Sequence, residues 1–413
     1  MAHSRPHVVI LHRWRETYAR YAQYVNHETH AVTYVTTDVG ADGIPANAAD
    51  VRIVSHTDDR AEVEPAVRSL VAQWGHPVAL IALKEDDLLL GGALREEYSL
   101  PGPGVAHLAP FRDKFQMCRR VADAGVAVPA FRVATSPADV MEHASRHGWP
   151  VILKPFAGSS AEGVLRVDSP AQLAAMRFPK GDYLAQVFVD QQIFHVDGVF
   201  DGQEIAVIRA SAYLNNCLSF RAGSALGSVE EDRPHLVRAI RNSARECLAA
   251  LTDNPTVFHL ELFVDESTGA CQFLEVGARV GGAEVPLVWR EVHGIDLMAI
   301  AFDLQVGRGL RPELLQPAGH ESDADVAGWL LLPAPAQRPC RITSSRSMLN
   351  QTPGPYAEAV LAAGDVLPDA EAYYEHVGGR FRFRGRSRAE VESAINATVA
   401  GFEVHGEALA KSA

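Results

Sequence analysis

The chain has little of what marks a secreted, membrane-bound or nucleic-acid-binding protein. Its five cysteines, Cys118, Cys217, Cys247, Cys271 and Cys340, are odd in number, far apart and in no CxxC pair, which excludes a disulfide framework and a cysteine zinc site. Positive charge is short: 38 Lys and Arg stand against 51 Asp and Glu, a net charge of −13. A broad attraction to nucleic acid or anionic lipid is excluded, so any anionic ligand must meet a local basic site. No apolar run approaches the roughly 18 residues of a membrane span, and the opening "HVVIL" is followed at once by "HRWR", which is no signal-peptide core. The expectation is a cytoplasmic protein with no membrane and no nucleic-acid partner. Glycine is missing from "HVVILHRWRET", so no GxGxxG follows the first apolar run and a nicotinamide-dependent dehydrogenase is set aside.

What is present is globular usage, 47% hydrophobic and 22% charged, over 413 residues, enough for two to three domains at about 150 residues each. The first hundred residues alternate short apolar runs ("HVVIL", "AVTYVT", "VALIAL") with helical stretches, which predicts a parallel α/β layer over residues 1–110, closed by "SLPGPG" at 99–104. A helix is expected from Phe111 to about Ala124. Ser136-Pro137 supplies an N-cap and first-turn proline for the next helix, and "SPAQ" at 169–172 a capping box for another. Between them "WPVILKPFAGSSAEGVLRV" reads as strand, glycine-and-serine loop, strand, within a unit spanning 111–190. A second hairpin, "TVFHLELFVDESTGACQFLEVGARVGG", lies in a unit at 191–310. A Pro, Gly and charge-rich stretch at 306–325 separates it from a last α+β unit at 326–413. There "RFRFRGRSR" predicts a strand with a buried Phe face and a solvated Arg face.

Lys154 ends "PVILK" and is followed by Gly158, Ser159, Ser160 and Gly163, so an ammonium stands beside a loop rich in N–H and hydroxyl donors suited to phosphate oxygens. The lysine precedes the glycines, so this is no Walker loop. On the second hairpin, period-two alternation puts His259 and Glu261 on one face, and a plausible register sets Glu275 nearly opposite Glu261. Facing carboxylates destabilise a sheet unless a cation joins them, and magnesium takes few carboxylates plus phosphate oxygens and water. Solvated glutamates on an exposed face are the alternative. Arg279 follows, with Gly281 and Gly282 behind it, a planar fork where the chain can approach a ligand closely.

Taken in order, Lys114 in "FRDKFQM", Lys154 in "ILKPFAGSSAEGV", the segment "YLAQVFVDQQIFHVDGVF", and Glu261, Glu275 and Arg279 in "HLELFV" and "LEVGARVGG" resemble the landmarks of the ATP-grasp superfamily. The likeness runs from about residue 5 to 310, and is greatest to the carboxylate–amine ligases that include L-amino-acid ligases. It implies an α/β and α+β architecture: an N-terminal Rossmann-like domain, a central lid subdomain and a C-terminal α+β region. By position it assigns Lys114 and Lys154 to the α- and β-phosphates of ATP and the 157–163 loop to the β- and γ-phosphates. The hinge from Gln186 through Val187, Phe188 and Val189 would take adenine, with backbone groups of Val187 and Val189 facing the base. Glu261 and Glu275 would hold Mg2+, with Mn2+ as an alternative, and Arg279 would steady the transferring phosphoryl group. Three positions depart from the family pattern: Gln186 replaces a glutamate, Ile193 replaces a ribose-binding acid and leaves Asp190 as substitute, and Gly277 replaces an asparagine, leaving that coordination position to water or weakening a second metal.

The implied reaction is attack of a carboxylate on the γ-phosphorus of ATP, giving an acyl phosphate, then attack of an amine to give an amide, ADP and phosphate. The small-molecule acid and amine are expected to be amino acids, and a homodimer is one assembly open to the protein. His259 would orient the acyl phosphate or accept the amine's proton, a hydrogen-bonded structural histidine being the alternative. Glu85 at the end of a predicted strand, Arg221 in "NNCLSFRAGS" and Gly282 are candidate substrate contacts. A phosphotransferase that needs no amine and a non-catalytic nucleotide-binding regulator would share the same ATP site.

Overall fold

The structure, a computed structural model, describes residues 5–15, 18–158, 162–215, 223–316, 325–369 and 376–409. The amino-terminal layer is the expected parallel sheet, in the order Asp50–Ile53, Ala31–Thr36, His7–His12, Pro77–Ala82. Its two central strands are buried along their whole length, which is why they are continuous apolar runs. Helix Arg60–Trp74 covers one face through Val63, Val67 and Leu70. The other face packs Ile10, Tyr34 and Ile81 against Trp289, Leu297 and Phe302, from helices Val285–Val292 and Leu297–Gln305. That shared core fastens the first layer to the body that follows it.

The segment expected as the lid forms a four-stranded antiparallel sheet in the order Phe131–Ala134, Tyr183–Val187, Val151–Pro155, Leu165–Val167. Helices Pro137–His147 and Pro170–Ala175 cover one face, burying Val151, Leu153 and Ala185. Ser136 and Asp139 cap the first helix reciprocally. At the second, Ser169 accepts from Gln172 N, but the Gln172 amide oxygen turns to Asp168 N (2.7 Å), so only half of the expected box forms. Alternation leaves Ile152, Lys154, Leu184 and Gln186 on the lid's opposite face, where Leu184 joins the core beneath it with Phe111 and Met117.

That core belongs to an eight-stranded antiparallel sheet: Cys271–Gly277, Thr256–Val264, Gln192–Phe200, Ile205–Tyr213, Leu226–Glu230, Val326–Pro333, Val377–Gly385, Ala357–Val360. Residues after 325 thus extend the sheet that carries the second hairpin, and form besides a small sheet of Val366–Leu367, Cys340–Ser345 and Val404–Ala408. On Val377–Gly385, Phe381 and Phe383 are fully buried as expected. The arginine face is not solvated throughout. Arg380 and Arg382 reach buried Glu284 (3.4 and 2.7 Å), and Arg382 also Glu291 (2.8 Å), because the helix beginning at Val285 covers that side; only Arg384 is half exposed. Among the described residues no helix is long and apolar enough to cross a membrane.

Candidate active site

The second hairpin forms in the register inferred from its alternation. Glu261 stands opposite Glu275 and His259 opposite Gly277, with a register irregularity just after Glu261. The next strand continues both rows: Glu261 lies beside His195, and His259 beside Asp197. Three strands therefore present Glu275, Glu261 and His195 in one row, and Gly277, His259 and Asp197 in the next. Leu260 and Leu262, on the other face, are fully buried in the core.

Two lysines come to this face from different elements. Lys114 opens helix Lys114–Asp123, whose first turn is capped by Asp113, and its Nζ donates to Gly158 O (3.1 Å) and lies 3.3 Å from Glu275 Oε2. Lys154 points down from the lid sheet and is almost wholly buried. Burial lowers its pKa against the opposing pull of Glu275. For Glu275 burial alone would raise the pKa, but Lys114, Lys154 and Arg279 outweigh it and hold the group well below the usual carboxylate range. Its partner Glu261 moves up, through burial and the charge of Glu275, despite His259 and a hydrogen bond from Tyr213 Oη (2.9 Å). Facing carboxylates split in this way are relieved by a hard divalent cation, whose preferred ligands are such oxygens, so the donor set fits magnesium.

Arg279 is held by Glu85, whose Oε2 lies 2.7 Å from both Nε and Nη2, while Arg112 Nη1 donates to Glu85 Oε1 at 2.6 Å. Glu85 is thus brought to the site, but with both oxygens occupied by guanidinium groups. Gly282 is open, since a Cβ added there would have nothing within 4 Å, whereas a Cβ on Gly281 would lie 2.3 Å from Asp197 Oδ1 and 2.9 Å from His259 Nδ1. Gly158 and Gly163 of the phosphate-loop candidate both have left-handed φ, 147° and 68°. Ser159, Ser160 and Arg221 lie outside the described residues.

At the hinge, Gln186 is buried and its Nε2 has no partner among the described residues, while Val187 N already donates to Ala130 O (3.0 Å), so that N–H is not open to a base. Phe188 carries Arg166 over its ring at 4.3 Å, Val189 is partly buried, and Asp190 is exposed.

Sequence reasoning missed His195, Asp197 and Tyr213. Asp197 Oδ2 meets His195 Nδ1 at 2.6 Å and Oδ1 meets His259 Nδ1 at 2.8 Å, and His195 Nε2 meets Ser228 Oγ at 2.7 Å. Burial would raise the Asp197 pKa, but His259 and His195 overcome it and keep the carboxylate ionised. The available signal was the alternation of "FHVDGVF": His195 and Asp197 share a face of an otherwise apolar strand, as His259 and Glu261 do.

No protein-family model matches the chain. It is 23% identical over 242 residues to an L-arginine-specific L-amino acid ligase of Bacillus subtilis, a match covering 55% of this chain and 58% of that one, so the similarity spans little more than half of the relative's length. Among solved structures, an L-amino acid ligase from Bacillus licheniformis superposes with a TM-score of 0.74 at 16% identity, covering 98% of this chain and 99% of that one. The biotin carboxylase domain of a Hydrogenobacter thermophilus 2-oxoglutarate carboxylase, in complex with MgADP, ADP and bicarbonate, gives 0.69 at 14% identity over 97% and 90%.

Proposed function

We propose that this chain, an ATP-grasp protein similar to the carboxylate–amine ligases of that superfamily, is an ATP-dependent ligase that joins a carboxylic acid to an amine. The observation that carries the reading is the in-register pair Glu261 and Glu275, with Lys114, Lys154 and Arg279 converging on it from three elements. These are the parts that position a triphosphate and spread its charge during transfer. Lys114 and Lys154 bind the α- and β-phosphates, the 157–163 loop lies over the β- and γ-phosphates, and the hinge from Gln186 to Asp190 borders the adenine. Glu261 and Glu275 hold the magnesium, or manganese in its place. Bound there, the metal supplies neutralisation of phosphate charge.

Arg279, oriented by Glu85, steadies the phosphoryl group as the substrate carboxylate oxygen bonds to the γ-phosphorus and ADP leaves. The amine nitrogen then bonds to the acyl carbon, the carbon–oxygen bond to phosphate breaks, and the proton given up by the nitrogen ends on the released phosphate. No serine or cysteine nucleophile is needed, because the carboxylate is itself the nucleophile. The lid excludes water from the acyl phosphate. Amino acids are the proposed acid and amine, supported by the two amino-acid ligases among the similar proteins. A cytoplasmic enzyme of small molecules is the corresponding setting.

The test is release of ADP and phosphate from MgATP with pooled amino and other carboxylic acids, each pool with and without pooled amines, with products weighed. A product whose mass is the sum of both partners less water is the expected result. Turnover indifferent to amine, giving a phosphorylated acid, overturns the ligase reading.

A further inference from the structure

We infer that the Gln186 amide reads the base of the nucleotide and accepts a purine carrying either an exocyclic amino group or an exocyclic carbonyl, so that the site takes inosine triphosphate as well as ATP. The inference deepens the reading above and rests on it. Gln186 lies on the strand Tyr183–Val187, opposite Phe131 on one side and Ile152 on the other. Both neighbours are apolar, the residue is only 2% exposed, and its Nε2 has no partner among the described residues. A buried N–H without an acceptor carries a cost that an apolar side chain of similar shape would not, so an amide at this place calls for a partner from outside the fold.

Its position on the sheet indicates which ligand supplies that partner. Ile152 stands opposite Gln186 and Lys154 opposite Leu184, so Gln186 and Lys154 are diagonal neighbours on one face of the lid sheet. Such neighbours start about 7–8 Å apart. Lys154 feels the charges of Glu275 and Glu261 from there, so a nucleotide with its phosphates at that ammonium can carry its base to the amide. Backbone donors are scarce at this end of the hinge. Val187 N already donates to Ala130 O (3.0 Å) and Phe188 N to Pro150 O (3.4 Å), whereas the Gln186 amide N–H is not spent.

An amide can present itself in two senses. Its oxygen accepts, its nitrogen donates, and a half-turn about the last side-chain torsion exchanges them. Adenine offers an amino donor beside a ring-nitrogen acceptor, and an amide meets both. Hypoxanthine offers a carbonyl acceptor beside a ring N–H, and the same amide turned over meets those as well. A carboxylate in this place would only accept, pairing with the amino group and opposing the carbonyl, so glutamine at 186 removes the element that would reject the second base.

The experiment is calorimetric titration of the full chain with the magnesium salts of ATP and inosine triphosphate, which differ only at this edge of the base. The wild type should bind the two with dissociation constants within about tenfold of each other, no more than one net hydrogen bond is worth. Gln186→Glu should keep ATP and lose inosine triphosphate, widening the ratio by about tenfold or more. Gln186→Met, which has neither donor nor acceptor, should weaken both to a similar degree. Wild-type protein that binds ATP but takes inosine triphosphate more than about tenfold more weakly overturns the relaxed selectivity and leaves the nucleotide site standing. Affinities for both nucleotides that are unchanged in the two variants remove Gln186 from the base. Wild-type protein that binds neither nucleotide overturns the nucleotide site itself.

Discussion

Glu85 clasps Arg279 across 194 positions of sequence, Oε2 standing 2.7 Å from both Nε and Nη2. The acid sits on a turn after a strand of the amino-terminal sheet, and the arginine follows the hairpin of the eight-stranded sheet. Burial alone would raise the pKa of Glu85, but Arg279 and Arg112 pull it below its ordinary value, so the group is an anion among cations. The guanidinium proposed to steady the phosphoryl group is thereby positioned by a different layer of the molecule.

Glu85→Gln keeps the volume and removes the charge, so Arg279 loses its ionic clasp. The expected result is a fall in kcat of about 10- to 100-fold, as for a catalytic group misplaced by a fraction of an ångström, with the KM for ATP changed only slightly. Steady-state kinetics with ATP and amine varied in turn is the check. A rise confined to the KM of the amine would instead make Glu85 an amine contact.

Glu275→Ala leaves Lys114, Lys154 and Arg279 facing one another with their common anion gone. Magnesium-dependent turnover should drop by at least roughly 10²-fold, the scale set by losing one preorganised electrostatic partner. Lys154→Met preserves the buried stem and should weaken ATP binding, read by calorimetry, with circular dichroism unchanged in both variants. Full turnover in the glutamate variant would remove Glu275 from the metal site.

The features legible in the sequence are those written in local periodicity. Glu261 and Glu275 could be paired because alternation and a short turn fix which residues of one hairpin face each other. Lys154 and the capped helix at Ser136 were legible for similar reasons. What stayed hidden depends on which distant strands meet. Asp197 reads as an odd acid in an apolar strand until that strand is laid beside His259. Arg380 and Arg382 looked solvated because nothing in "RFRFRGRSR" reveals that Glu284 lies opposite. The strands after residue 325 carry no mark that they will extend a sheet begun more than a hundred residues earlier, since antiparallel pairing between distant segments has no sequence signature of its own.

Asp87 should make stability depend on pH with a sign opposite to that of most carboxylates. Burial raises its pKa from 3.8 to about 6, one oxygen accepting from Thr57 Oγ1 (2.8 Å) and the other having no partner among the described residues. The folded state binds this proton more tightly than the unfolded chain, so the group favours folding at low pH and that benefit is lost as pH rises from about 4 to about 6. Asp87→Asn removes the dependence. At about pH 8 the variant should be more stable than the wild type by on the order of 2–3 kcal/mol, a gap that closes near pH 4. Urea unfolding at the two pH values decides it, and an equal gap at both would sink the assignment.

Gly281 and Gly282 are neighbours with opposite tolerance. A methyl at Gly281 meets Asp197 Oδ1 at 2.3 Å, His259 Nδ1 at 2.9 Å and Val285 Cγ1 at 3.0 Å, while one at Gly282 meets nothing within 4 Å. Asp197 is fixed by two imidazoles and Val285 by its core, so neither yields without breaking the Asp197–His259 hydrogen bond. Gly281→Ala should therefore cost about 1–3 kcal/mol, in the range of overpacked interiors, whereas Gly282→Ala should cost well under about 1 kcal/mol. Thermal melts compare the two variants, and an equal cost at both positions would mean that Asp197, His259 and Val285 yield to the added methyl at Gly281.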